Sequence, residues 1–296
     1  MANNKATGLY THPDPISEEW AAYDLYEFPI ISKSDDLKTD FKAIFKDGKP
    51  VTITKTRYKL LPNELVVQAA NLAANKTGLI PFDSHKGDWV GGNKTDKHIF
   101  HTGHKVHAIY AHPTEYTVNG DKMYIGAAIH NSIDSTMGFT GGVFSFRAAC
   151  KNVVLSAGWR DWAYWYSNRD HGRTIESLYK RHTTHSIGEI IDNLEGVMIQ
   201  IMERADEIVK SYNLLAKIEA NAELYDRLGK SALPRRVLPE HITDEATPHP
   251  HGLSLWDVYN DLTAEIWHDK KTNTYTKIGQ FSTLHKVIGA EIPANR

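Results

Sequence analysis

From Lys105 to Gly158 the chain carries three runs rich in Val, Ile, Tyr and Phe, parted by Asn119-Gly120 and by the glycine-bearing stretch 138–142. Asn-Gly between two such runs suits a type I′ turn, which needs positive φ at both central positions. The pattern predicts a β-meander. The third run leads into residues 151–167, which read as a helix beginning near Lys151, with Trp159, Trp162 and Tyr166 on one face at i, i+3 and i+7. Upstream, Phe41 to Ala74 reads as strand, turn, strand, helix. Asp47-Gly48-Lys49-Pro50 is the turn, Pro62 opens the helix with Glu64 close behind, and Gly78 stops it. Together these patterns predict an α+β fold whose antiparallel sheet contains Val51 to Leu61, Lys105 to His112, Lys122 to Ile129 and Val143 to Ala149.

Further on, the apolar positions recur at threes and fours from Ile187 through Leu194, Met198, Ile201 and Ala205 to Val209. That spacing predicts an amphipathic helix from about Ser186 to Ser211, close enough to a heptad repeat to suit helix pairing within or between subunits. A second helical run ends near Gly229. Pro234, Pro239, Pro248 and Pro250 mark an irregular connector. A last helix, near Ser254 to Trp267, places Leu255, Val258, Tyr259, Leu262 and Ile266 on one face. The expected organisation is an aromatic N-terminal arm over 1–40, an α+β core over 41–185 and a helical C-terminal region over 186–296.

With 296 residues the chain is long enough for a substantial core. It contains no apolar run long enough to span a membrane and no secretory pattern, so a cytoplasmic location without membrane partners is expected. The lone Cys150 excludes an internal disulfide and any multi-cysteine zinc site, and it reads as an inert thiol. Net charge is -2, which gives no global signal for nucleic acid, but charge is segregated along the chain. Glu189 to Asp226 holds nine acids against three basic residues, whereas Arg160 to Arg181 is richer in basic residues than in acids. If Val51 to Leu61 is one strand, period 2 puts Lys55, Arg57 and Lys59 on one face.

Chemical motifs are sparse. His98, His101, His104 and His107 recur every third residue, a spacing that invites a metal reading, but in a strand it alternates faces and brings at most two together. Nucleotide-binding glycine loops and the GxSxG elbow are absent. No cofactor and no catalytic group is expected.

Three stretches carry a resemblance: "RYKLLPNELV" from Arg57; Asn131 to Ser135 leading to Arg147 and to Cys150, Lys151 and Asn152; and "LWDVYNDLTAEIWH" from Leu255. In these the chain resembles the phage/plasmid-like protein family, a domain of unknown function. Where that family has Asn-Ser-His-Asp-Gly, this chain has Ile133 and Ser135, so no imidazole role carries over there. At the level of the fold, helix, meander and long helix are similar to the single-strand annealing proteins of the Redβ, Erf and Rad-fifty-two class. The resemblance implies a single-stranded DNA binding and annealing protein of recombination, repair or replication, working as a homo-oligomeric ring or filament and not as an enzyme. Lys55, Arg57, Lys59, Arg147, Lys151, Arg169 and Arg173 are the residues expected to line its phosphate track. The alternatives are a regulatory or structural protein of the phage/plasmid-like kind without a nucleic-acid surface and, third, a metal-dependent enzyme.

Overall fold

The computed structural model describes residues 25–31, 38–84, 86–90, 98–155, 178–180, 187–243 and 247–292. Among them two antiparallel sheets form. The smaller has three strands in the order β1 (Leu25–Ile31), β2 (Lys38–Lys46) and β3 (Lys49–Lys55). Asp47 and Gly48 both adopt positive φ between β2 and β3, the two-residue turn that their sequence specifies. The larger sheet takes in β4 (Ile80–Asp83), β5 (Asp88–Trp89), β6 (Ile99–Thr102), β7 (Lys105–Ala111), β8 (Tyr116–Val118), β9 (Asp121–Ser132), β10 (Phe139–Arg147), β11 (Asn152–Leu155) and β12 (Leu178–Lys180). Its main order is β11-β10-β9-β7-β4-β5, with β12, β6 and β8 added to β10, β7 and β9.

The α+β class and the meander β7-β9-β10 are as the pattern predicts, and Asn119-Gly120 makes the tight turn into β9 with both φ positive. Three details differ. The strand from Val51 ends at Lys55 and belongs to the small sheet, not to the meander. Gly141 and Gly142 lie inside β10, while the connection from β9 runs over Ile133 to Gly138. Asn152 to Leu155 is a fourth strand paired with Phe144 to Arg147, where the sequence reads as the start of a helix. A short run such as Val153-Val154-Leu155 fits a buried strand or a buried helix equally well, and pairing with β10 decides it. The aromatic stretch beyond it, with Trp159, Trp162 and Tyr166, lies outside the described residues. Within the stretch read as an arm, β1 pairs with β2 of the small sheet.

The helices are α1 (Asn63–Thr77), α2 (Ile187–Leu215), α3 (Ala222–Gly229), α4 (Glu240–Thr243), α5 (Leu255–His268) and α6 (Thr274–Gly289). Pro62 caps α1, and Gly78, left-handed at φ 85°, ends it. Ser254 and Asp257 form a reciprocal capping box on α5. Period 2 divides the meander. Val106, Ala108, Ile125, Ala127, Ile129 and Val143 face a core completed by α1 and by Leu194, Met198, Ile201, Ala205 and Ile208 of α2. On the opposite face Ile109, Tyr124, Ala128, Phe144, Phe146 and Val153 pack with Phe82 and with Ile278 of α6. From Leu194 to Ile208 the apolar stripe of α2 is therefore spent within the chain, against α1 and the sheet.

Candidate nucleic-acid interface

Alternation within the small sheet gives it an inner and an outer face. On the inner face Ile44 and Leu25 are buried with Tyr58 and Ile133, which joins this sheet to the end of β9. Lys42, also inward, is neutralised by Glu27 at 2.8 Å. Cross-strand partners share a face, and Phe41 sits opposite Lys55, Ala43 opposite Ile53 and Phe28 opposite Ala43. These form the outer face, where Phe41 is 44% and Ile53 64% exposed. Phe28 and Phe45 meet edge to face at 5.9 Å.

Lys55 ends β3. The chain then turns, with the Thr56 N–H donating to Asp40 O and the Tyr58 N–H to Lys55 O, both at 2.9 Å. Tyr58 points inward and its hydroxyl donates to Ser132 O at 3.2 Å. Burial first, then the nearby Asp134 charge, hold that phenol above its ordinary range. Lys55, Arg57 and Lys59 are all exposed, but as a strand end, a turn and an extended segment rather than as one pleated row. Over residues 25–31 and 38–61 the basic residues are Lys38, Lys42, Lys46, Lys49, Lys55, Arg57 and Lys59, and the acids are Glu27, Asp40 and Asp47. A strongly cationic sheet thus sits on a chain of net charge -2.

The remaining residues read as part of the same track do not join it. Arg147 pairs with Met123 near the start of β9, whereas Tyr58 reaches Ser132 at its end. Nine residues of strand separate them, about 30 Å. Arg147 is also engaged: its Nε donates to Asp121 Oδ2 at 2.7 Å, and its Nη1 reaches Cys150 Sγ at 3.7 Å. Lys151 is exposed at the tip of the β10-β11 hairpin with φ 52°, so no helix amino end lies there to attract phosphate. Arg169 and Arg173 lie outside the described residues.

The histidine run disperses along β6, its turn and β7. His98 Nε2 meets Asn71 Oδ1 at 3.1 Å, and the backbone oxygen of His104 accepts from Asn63 Nδ2 at 3.2 Å. His107 is fully buried and its Nδ1 lies 2.8 Å from Nδ1 of His130, a residue outside the run that register places directly opposite. One ring must donate and the other accept, so the two take complementary tautomers. Burial first, then His130, His101 and Lys105, push His107 well below the ordinary histidine range. Among the described residues no group of three or more His, Cys, Asp or Glu side chains could hold a metal.

The Asn131 to Ser135 patch is a junction. Asn131 Nδ2 donates to Leu61 O at 3.0 Å and to Asn63 Oδ1 at 2.8 Å, tying β9 to the start of α1. Ser132 Oγ donates to Met137 O, and Asp134 pairs with Lys105 at 3.1 Å. Burial raises the Asp134 carboxyl, but the Thr136 hydroxyl and N–H and Lys105 outweigh it, and the net direction is down. The exposed outer face was invisible in the alternation of β2 and β3 taken singly, since apolar residues fall on both sides. The one signal was the density of lysines across both strands.

Set against family models, curated proteins and solved structures, the chain has no match. No helix among the described residues is long and apolar enough to cross a membrane. The site so defined is a basic, partly apolar sheet surface.

Proposed function

We propose that the protein binds single-stranded DNA through the small sheet and its following turn, as a homo-oligomeric annealing protein of recombination or replication. The observation that carries this reading is the charge segregation. Seven basic residues against three acids lie on the small sheet, its hairpin turn and the segment that follows it, while the chain as a whole is slightly acidic and the segment Glu189 to Asp226 carries the excess acid. A protein that holds a strand by its phosphates needs such a local cationic field, and global charge is immaterial if the acids sit elsewhere. Annealing also needs the bases reachable from one side, which a surface track provides and an enclosed channel does not.

The test is a salt titration of binding to a single-stranded oligonucleotide. Replacing Lys55, Arg57 and Lys59 together by alanine removes up to three phosphate contacts and lowers the slope of log affinity against log salt by about 2. The affinity loss is the same for all sequences, and the thermal midpoint stays put because all three side chains are exposed. Parent-like affinity at every salt concentration in this variant, or equal preference for duplex, overturns the reading.

A further inference from the structure

The cations account for phosphate, but they leave the apolar part of the same surface unexplained. Phe41 and Ile53 are two of only four large hydrophobic side chains exposed among the described residues, and both stand on the outer face of the small sheet. Phe41 is the cross-strand partner of Lys55, and Ile53 is the partner of Ala43, one step along the same face. In neighbouring positions on one pleated face, Cβ atoms lie about 5 Å apart, and diagonal ones about 7 to 8 Å. An exposed ring next to an ammonium group, with Arg57 and Lys59 exposed just beyond, matches the alternation of base and phosphate in a nucleic-acid strand. A face that served only to be solvated has no use for a phenylalanine and an isoleucine at its centre. A face made for an apolar protein partner does not set Lys55 opposite Phe41, with Arg57 and Lys59 exposed just beyond.

We propose that the outer face of the small sheet is a base-stacking platform, with Phe41 as the ring on which a base lies and Ile53 as the apolar floor beside it. This rests on the single-strand reading above and adds to it which part of the nucleic acid the sheet touches. Stacking uses the π-face of a base and leaves its pairing edge free, so the platform is compatible with annealing. It is also indifferent to sequence, because every base has such a face. Lys55, one strand over, takes the phosphate that follows.

The experiment compares two fluorescent 20-mers of equal charge, oligo-dT and a fully abasic backbone, by anisotropy. The parent protein prefers oligo-dT. Phe41→Ala lowers affinity for oligo-dT at least about fivefold. It leaves affinity for the abasic strand and both salt slopes unchanged, and Phe41→Tyr restores the preference. Ile53→Ala, at a position too exposed to unfold the chain, lowers the preference in the same direction. The Lys55, Arg57 and Lys59 triple variant weakens both probes equally. If Phe41→Ala and Ile53→Ala both keep the full preference while the triple variant loses binding, the platform is wrong and the phosphate reading stands. If the parent binds neither probe, both fall. If Phe41→Ala instead abolishes self-association and leaves binding to both probes intact, the face is a contact between copies of this chain and the platform is overturned.

Discussion

Two deeply buried histidines stand apart from the basic sheet. His107 sits in the large sheet against His130, with Phe100 stacked on its ring at 5.1 Å. His285 of α6 meets the hydroxyl of Tyr259 at 3.1 Å. Tyr259 in turn adjoins Tyr212, whose hydroxyl lies 2.9 Å from Ser145 Oγ, so a polar chain links α6, α5, α2 and β10 through the core. Burial pushes the His285 imidazole down to about 3 and holds His107 well below its usual range. With a folded pKa below the unfolded one, the unfolded chain binds protons first as pH falls. Stability is therefore intact above about 6.5 and declines below it, until pH reaches the folded value. Each group contributes a slope of roughly 1.4 kcal/mol per pH unit in that window. Thermal unfolding followed from pH 7.5 to 5 should show a falling midpoint, and His285→Phe should flatten the fall. A midpoint independent of pH across this range refutes the account. None of this was legible beforehand. His107 belonged to a conspicuous run, but its partner is set by strand register, and His130 stands 23 residues away.

At the scale of elements, local chemistry was readable wherever the backbone alone decides. Asp47-Gly48, Asn119-Gly120, Pro62 and Gly78 all act where their types demand. The stripe of α2 was readable too, though not which surface it covers. What the pattern could not resolve was β11, because four apolar or amide residues suit either period, and the end of β3, because alternation continues in composition past the point where pairing stops. Two glycines show how space and not propensity fixes a residue. A Cβ on Gly126 would overlap the backbone oxygen of Tyr110 where β9 pairs with β7, whereas one on Gly196 of α2 meets nothing within 4 Å. Gly126→Ala should therefore destabilise by about 1 to 3 kcal/mol or more, as strands are forced apart. Gly196→Ala should stabilise by about 1 kcal/mol through helix propensity. Denaturant midpoints of the two variants check both signs, and a neutral Gly126→Ala sinks the packing argument.

Among the described residues, a large sheet covered on both faces carries a small basic sheet attached through few buried groups. Leu25, Ile44, Tyr58 and Ile133 form that attachment, helped by the hydroxyl of Tyr58 on Ser132 O. The two main clusters hold many more buried side chains. Opening free energies follow such local burial, so the small sheet should be the less stable unit and exchange its amides through a local opening. Ile133, in the connection just past the end of β9, brings the large sheet's side of the attachment cluster. Ile133→Ala removes buried methyls at a cost of about 2 to 5 kcal/mol. That loss should fall on the attachment and leave the cores of β7, β9 and α2 intact. In native-state hydrogen exchange the amides of β1, β2 and β3 should then lose protection by a factor of at least about 30, the equivalent of about 2 kcal/mol, while those of β7 and β9 keep theirs. Uniform loss of protection across both sheets would mean that they unfold as one unit. In that case the basic sheet is a rigid part of the core, not an appended binding surface.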